Sequence, residues 1–378
     1  MKVVVASDSF KGSLSSMGVA TAAVRGVKAV CPDCEVVPVN IADGGEGLVE
    51  AVVEALGGEM VDVVVSDPLG RSISVCYGMA GKIAIIEMAA ASGLPLLREE
   101  ERNPWVTSTF GTGEMIMHAM RRGCRNFLVG LGGSATNDAG TGILRAMGFR
   151  FYDVEGKEST DCCGGRLGDI RKVDVHEVAD CVRQSTFVLA CDVDIPFCGQ
   201  DGAAYVFAPQ KGADMDMVVQ LDAGMASLAK VIEETCCVDI VSVAGAGAAG
   251  GVGGGLYAFL NATLKHGIDI VLDAIDFDCM IRGADLVITG EGKLDDQTAR
   301  GKTAAGVLAR AKAQGIPVVA IGGRVEMSES VAKMGFTDIY PIVNDDVPLA
   351  QAMRSDFAAA NVEKTVKKII SQYLNSKH

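Results

Sequence analysis

The run Phe127-Leu128-Val129-Gly130 passes directly into Leu131-Gly132-Gly133-Ser134-Ala135-Thr136-Asn137-Asp138-Ala139-Gly140. An apolar strand that ends in glycines and hands over to small hydroxyl and amide residues is the strand-to-helix junction of an α/β fold. If the helix starts near Thr136 and runs to Met147, backbone N–H groups at its N-terminus form a cradle for an anion such as phosphate. A plain tight turn with Ser134 or Thr136 as N-cap satisfies the same residues. The segment by itself supports both.

Similar apolar runs recur at Lys2–Ala6, Val36–Asn40, Ala284–Thr289, Pro317–Ile321 and Asp338–Val343, the pattern of strands buried on both faces. Helical spacing fills Ser16–Val30, Gly45–Leu56, Thr298–Gln314 and Asp356–Leu374. The alternation predicts a doubly wound, Rossmann-like parallel sheet built from both chain ends. Val61–Ser66, Arg71–Tyr77 and Lys82–Met88, separated by Asp67-Pro68-Leu69-Gly70 and Met79-Ala80-Gly81, read instead as antiparallel hairpins. An inserted second, mixed α/β domain is therefore expected at 60–105 and 149–280, with 1–59, 106–148 and 281–378 forming the Rossmann-like domain. The cleft between the two is the expected substrate site.

Composition agrees with this class. A chain of 378 residues exceeds one ordinary core, and 49% hydrophobic residues with 46 glycines but only 5% aromatics suit helices packed closely on parallel strands. A net charge of −14 without clustered Lys and Arg argues against a nucleic-acid footprint. No apolar run approaches the roughly 18 residues of a membrane span, and Val3-Val4-Val5 replaces a signal peptide, so a cytoplasmic location is expected. The 12 cysteines and 4 histidines show no zinc spacing. Reduced structural thiols are expected, including Cys31 and Cys34. Oligomeric state is not readable from these features.

Four strand-end segments carry the chemistry. Ser7-Asp8-Ser9-Phe10-Lys11-Gly12-Ser13 follows the first strand, where Lys11 can neutralise a phosphate or carboxylate. Ala42-Asp43-Gly44-Gly45-Glu46-Gly47 sets two carboxylates among glycines, and Asp43 suits a hard cation. Cys191-Asp192-Val193-Asp194 supplies an acidic pair, which alternation along an extended strand would send to one side, one residue for magnesium and one to accept a hydroxyl proton. Thr289-Gly290-Glu291-Gly292-Lys293-Leu294-Asp295-Asp296 spaces Glu291 and Lys293 to meet opposite charges on a nucleotide.

Competing motifs are weaker. Gly301-Lys302-Thr303 lacks the earlier glycine of a P-loop, since Asp296 stands there. Gly245-Ala246-Gly247-Ala248-Ala249-Gly250 satisfies the dinucleotide pattern after Val238–Val243 and supports, as an alternative, an NAD-linked oxidoreductase acting on a small hydroxy acid. Close helix packing explains it equally well.

Taken together these segments resemble the bacterial glycerate kinase family of the glycerate 2-kinase type. The resemblance also covers Asp67–Arg71, Ser108-Thr109-Phe110-Gly111-Thr112-Gly113-Glu114, Leu131–Gly142, Pro209-Gln210-Lys211-Gly212-Ala213 and Gly245–Gly255, and so runs nearly end to end. It implies ATP-dependent transfer to the 2-hydroxyl of D-glycerate. Ser7 stands where the family commonly has Pro, and Ile195-Pro196-Phe197 where it usually has Asn-Pro-Leu, which removes a polar side chain beside Asp192 and Asp194.

Phosphoryl transfer asks mainly for positioning and charge neutralisation. On this reading ATP meets Gly132, Gly133, Ser134, Asn137, Glu291 and Lys293. Glycerate meets Ser9 with Lys11 or Arg71, Asp192 is the general base with Lys11 beside it, and Asp43 or Asp194 holds Mg2+.

Overall fold

The computed structural model describes residues 1–10, 12–41, 48–298, 302–344 and 347–376, so Lys11 and Asp43 lie outside the described residues. Strands β1 (Lys2–Ser7) and β2 (Glu35–Asn40) open the chain. They are followed by β3 (Glu59–Ser66), β4 (Ser72–Ala80), β5 (Ile83–Glu87) and β6 (Asn126–Gly130). Three short strands, β7 (Arg150–Tyr152), β8 (Glu158–Ser159) and β9 (Lys172–Asp174), precede β10 (Thr186–Ala190) and β11 (Thr263–Lys265). The last are β12 (Leu286–Leu294), β13 (Val318–Val325) and β14 (Asp338–Pro341).

The chain divides into two compact units, one of residues 1–47 and 268–378, the other of residues 48–267. In the first, five strands run parallel in the order β14-β13-β12-β1-β2. Alternate residues go to opposite faces. Val3, Val5, Leu286 and Ile288 pack with Val19, Val27, Val362 and Val366 of the helices Ser16–Val30 and Ser355–Ser376. Val319 and Ile321 of β13 join this first cluster, whereas Ala320 between them meets Ala304 of the helix Thr303–Ala313 on the other face. Both faces are thus covered, as the unbroken apolar runs require. Gly26 lets the two helices approach, since a Cβ there would lie 2.7 Å from the Glu363 carbonyl oxygen.

The second unit holds a six-stranded sheet in the order β11-β10-β6-β5-β4-β3, in which β5, β6, β10 and β11 are parallel and β3 and β4 form antiparallel pairs. A small antiparallel sheet, β8-β7-β9, lies beside it in sequence. The hairpin prediction therefore stands for β3 to β5.

Sheet membership differs from expectation for 106–148. Strand β6 pairs between β5 and β10, inside the 48–267 unit, and not with the terminal strands. A buried parallel strand reads the same in any sheet centre, because its pattern records two covered faces and not its neighbours. The helix Leu48–Leu56 also belongs with the second unit, and 268–280 with the first. Cys31 and Cys34, expected reduced, are joined by a disulfide in the turn that ends the helix Ser16–Val30, their Cα atoms 5.4 Å apart. Among the described residues no helix is long and apolar enough to cross a membrane.

Candidate active site

In the second unit the parallel register aligns Glu87, Gly130, Ala190 and Lys265 in one row across β5, β6, β10 and β11. The segments that leave this carboxyl edge are consequently neighbours: 88–92, 131–140, 191–196 and 266–267. Open α/β sheets bind ligands at such an edge.

The 131–140 segment does not start a helix at Thr136. The helix is Thr141–Ala146, preceded by Gly140 in the left-handed region at φ 74°. The expected anion cradle is filled by the protein itself. Asp138, with no solvent exposure, accepts hydrogen bonds from the Thr109 N–H (2.8 Å), the Thr109 hydroxyl (2.8 Å), the Gly140 N–H (3.2 Å) and the Gly142 N–H (3.3 Å). Its carboxylate thus sits at the start of two helices, Phe110–Arg121 and Thr141–Ala146. Burial raises its pKa, and the Thr109, Gly140 and Gly142 donors oppose that rise.

Within the segment only Gly132 and Gly133 face solvent. Ser134 and Asn137 are buried, and their side chains are engaged inside the unit. Lys211 Nζ donates to Ser134 Oγ (2.8 Å) and to the Thr136 carbonyl (2.6 Å), while Asn137 Nδ2 donates to Met225 Sδ (3.2 Å). Burial pushes the Lys211 amine down to about 7, with the Asp138 charge pulling the other way. Thr136 Oγ1 and Asn137 Oδ1 are buried with no hydrogen-bond partner among the described residues.

Lys211 and Asp138 are the polar residues that sequence reasoning passed over, although both lie in segments that it had marked. Their signal was weak, because Lys211 reaches Ser134 across a separation of 77 residues.

The tract Gly245–Gly255 packs against this segment. The Ala139 N–H donates to the Gly250 carbonyl (3.0 Å), and Cβ atoms on Gly250 and Gly255 would stand 2.2 Å from the Thr136 oxygen and 2.0 Å from the Ala139 oxygen. Residues 238–243 form no strand. The dinucleotide pattern thus lacks its strand-turn-helix setting, and its glycines serve close packing. Phe197 is fully buried, its ring 2.9 and 2.7 Å from where Cβ atoms of Gly251 and Gly254 would lie.

Asp192 and Asp194 lie past the end of β10, so strand alternation does not govern them; both are exposed. Asp192 Oδ1 accepts from the Gly267 N–H (3.0 Å) and stands 3.5 Å from His266 Nδ1. Arg71 follows the β3–β4 turn. Its Nε pairs with the buried Asp67 and its Nη1 with Glu101 at 2.8 Å, so its charge is already matched by two carboxylates.

Ser9, Glu291 and Lys293 belong to the first unit, at the carboxyl ends of β1 and β12. The Ser9 N–H donates to Asp8 Oδ1 (2.6 Å). Glu291 is nearly buried; its Oε1 accepts from the Ala304 N–H in the first turn of the helix Thr303–Ala313 (3.0 Å), and its Oε2 accepts from the Thr298 hydroxyl (3.3 Å). Burial pushes its carboxyl up to about 7, aided by Asp8 and opposed by these donors and Lys302. Lys293 Nζ is paired with Asp295 and Glu326, each at 3.0 Å. The expected residues therefore divide into Gly132, Gly133, Ser134, Asn137, Asp192, Asp194 and Arg71 in one unit and Ser9, Glu291 and Lys293 in the other. Among the described residues no group of three His, Cys, Asp or Glu side chains could hold a metal ion.

Comparison with known proteins gives the family of the chain. Residues 3–374 match the model of the glycerate kinase family. A glycerate kinase of Bacillus cereus is 44% identical over 372 residues, covering 98% of this chain and 97% of that protein. The glycerate 2-kinase of Escherichia coli is 40% identical over 374 residues, covering 97% and 98%. The crystal structure of a proposed glycerate kinase 2 from Salmonella typhimurium LT2 superposes with a TM-score of 0.86 at 39% identity, covering 100% and 99% of the two chains. Matches of this extent take in both units and every strand-end segment described above, and the chain belongs to the glycerate kinase family.

Proposed function

We propose that this chain transfers the γ-phosphoryl group of ATP to the 2-hydroxyl of D-glycerate, with Mg2+. Beyond family membership, the observation that carries the reading is the aligned row Glu87-Gly130-Ala190-Lys265, which puts the exposed Gly132 and Gly133 beside the Asp192 segment on one sheet edge. Gly132 and Gly133 present backbone to phosphate oxygens. Ser134 and Asn137 shape the segment from beneath, where Lys211 and Met225 hold them.

Asp192 is the general base for the attacking hydroxyl. The Gly267 N–H on Oδ1 fixes the rotation of its carboxylate. The glycerate carboxylate is met by Lys11 with Ser9, in preference to Arg71, whose guanidinium is committed to Asp67 and Glu101. Lys293 and Glu291 act on the nucleotide side. Mg2+ keeps several waters and needs only one or two protein carboxylates besides phosphate oxygens, a demand that Asp194 or Asp43 meets without a dedicated cage. When bound, it neutralises the phosphate charge that grows during transfer. The oxidoreductase reading has lost its motif, since no strand leads into Gly245.

The test is Asp192→Asn in a coupled ADP-release assay with D-glycerate, L-glycerate and no acceptor. General-base loss predicts turnover lowered about 100- to 10,000-fold with the Kd for D-glycerate retained. Near-normal turnover would move the base elsewhere.

A further inference from the structure

The first unit contains a cavity of about 480 Å3 at the carboxyl ends of β12, β13 and β14, bordered on the β1 side by Phe10 and Ser13. We infer that this cavity receives the adenosine portion of the nucleotide; the identification of ATP rests on the function proposed above. Phe10, Ser13 and Gly292 lie in strand-end segments marked in the sequence, whereas Arg324, Asn344, Val347 and Met353 lie in none of them.

Three observations lead there. The first is topology. The helix that follows β1, Ser16–Val30, packs on one face of the sheet, whereas the helix that follows β12, Thr303–Ala313, packs on the other. Adjacent strands whose connections leave to opposite faces form a switch point, and the crevice outside such a point is where open α/β sheets bind nucleotides.

The second is shape. Gly292 and Gly323 line the cavity at neighbouring strand ends, so its floor is backbone. A Cβ on Gly323 would lie 2.5 Å from the Gly292 oxygen, which keeps that position free of a side chain. The volume lies within the roughly 300–1,000 Å3 of small-molecule sites.

The third is chemistry. Val343 and Met353 give apolar walls against which a flat heteroaromatic base packs, and the Asn344 amide offers one donor group and one acceptor, as the amino and ring-nitrogen edge of adenine requires.

Two measurements on the full chain test the inference. Photolabelling with 8-azido-ATP, mapped by mass spectrometry, should modify Val343, Asn344, Val347 or Leu349, and excess ATP should suppress it. Label that ATP suppresses at other positions only, or no suppressible label, overturns the assignment. In parallel, Val347→Trp and Ala352→Trp fill the cavity without touching the proposed catalytic groups. Each should raise the KM for ATP at least tenfold, leave the KM for D-glycerate unchanged, and retain the wild-type circular dichroism spectrum and melting temperature. An unchanged KM for ATP in both variants overturns it. Suppressible label in the cavity of a wild-type chain that does not phosphorylate glycerate would keep the nucleotide site and sink the proposed function. Kinase activity with label elsewhere would do the reverse.

Discussion

Lys211 should make the stability of the 48–267 unit depend on pH in a way that one substitution removes. Its amine is almost wholly buried and has been pushed from the ordinary 10.5 down to about 7. Above pH 7 the folded chain therefore carries a neutral amine, whose two N–H groups match the two acceptors present, Ser134 Oγ and the Thr136 carbonyl. The unfolded chain keeps the ammonium until about pH 10.5. Because the unfolded state binds more protons between these limits, stability rises with pH across the window, and the contribution is lost as pH falls through 7. At 1.36 kcal/mol per pH unit the full displacement corresponds to on the order of 5 kcal/mol. About 2 kcal/mol of that should fall between pH 7.5 and 9.5.

Lys211→Met keeps the stem and removes the titration. The assay is urea unfolding followed by the fluorescence of Trp105, the only tryptophan and a member of this unit. Taking wild type minus variant cancels groups that titrate alike in both. The difference should grow in favour of wild type by about 2 kcal/mol from pH 7.5 to 9.5. At pH 6.5 it should be smallest, because the variant loses two hydrogen bonds but no longer buries an ammonium. A difference that is flat with pH, or that shrinks as pH rises, would refute this account of Lys211.

Asp138→Asn puts an NH2 group among four donors that now converge on a carboxylate, and should cost about 2–4 kcal/mol in the same fluorescence assay. A loss below 0.5 kcal/mol would mean that the helix starts do not depend on it. Glycines of the site should separate into two kinds. Gly250→Ala meets the Thr136 oxygen at 2.2 Å with φ at +69° and should destabilise the unit by at least about 2 kcal/mol, whereas Gly132→Ala has open space and should melt within about 1 °C of wild type. Calorimetry on the two variants checks the contrast.

Much of the fold is legible wherever local signals coincide. The helix Ser16–Val30 follows from apolar spacing with Ser15 as N-cap, whose hydroxyl oxygen accepts from the Gly18 N–H. Strands β1, β12 and β13 follow from apolar runs that two covered faces demand, and the edge strand β2 from a run only partly buried. Pairing across the sequence is not a local signal. Nothing around Phe127 says that β6 lies between β5 and β10, and nothing around Pro209 says that Lys211 ends beneath Ser134. The cradle itself shows why motif reading stops short. The pattern of the segment fits an anion cradle and a plain turn equally, and nothing in it announces that Asp138, within the same ten residues, accepts from the Gly140 and Gly142 N–H groups. Arg71 is a similar case, its two carboxylates lying 4 and 30 residues away.

The central claim is transfer of phosphate from ATP to the 2-hydroxyl of D-glycerate, and the position of the new phosphate is its most direct readout. Incubation of the chain with ATP, MgCl2 and D-glycerate, followed by 31P and 1H NMR, should show one phosphomonoester whose phosphorus couples to the single C2 proton, formed in step with ADP. Coupling to the two C3 protons, or ADP that forms equally fast without glycerate, would contradict the account.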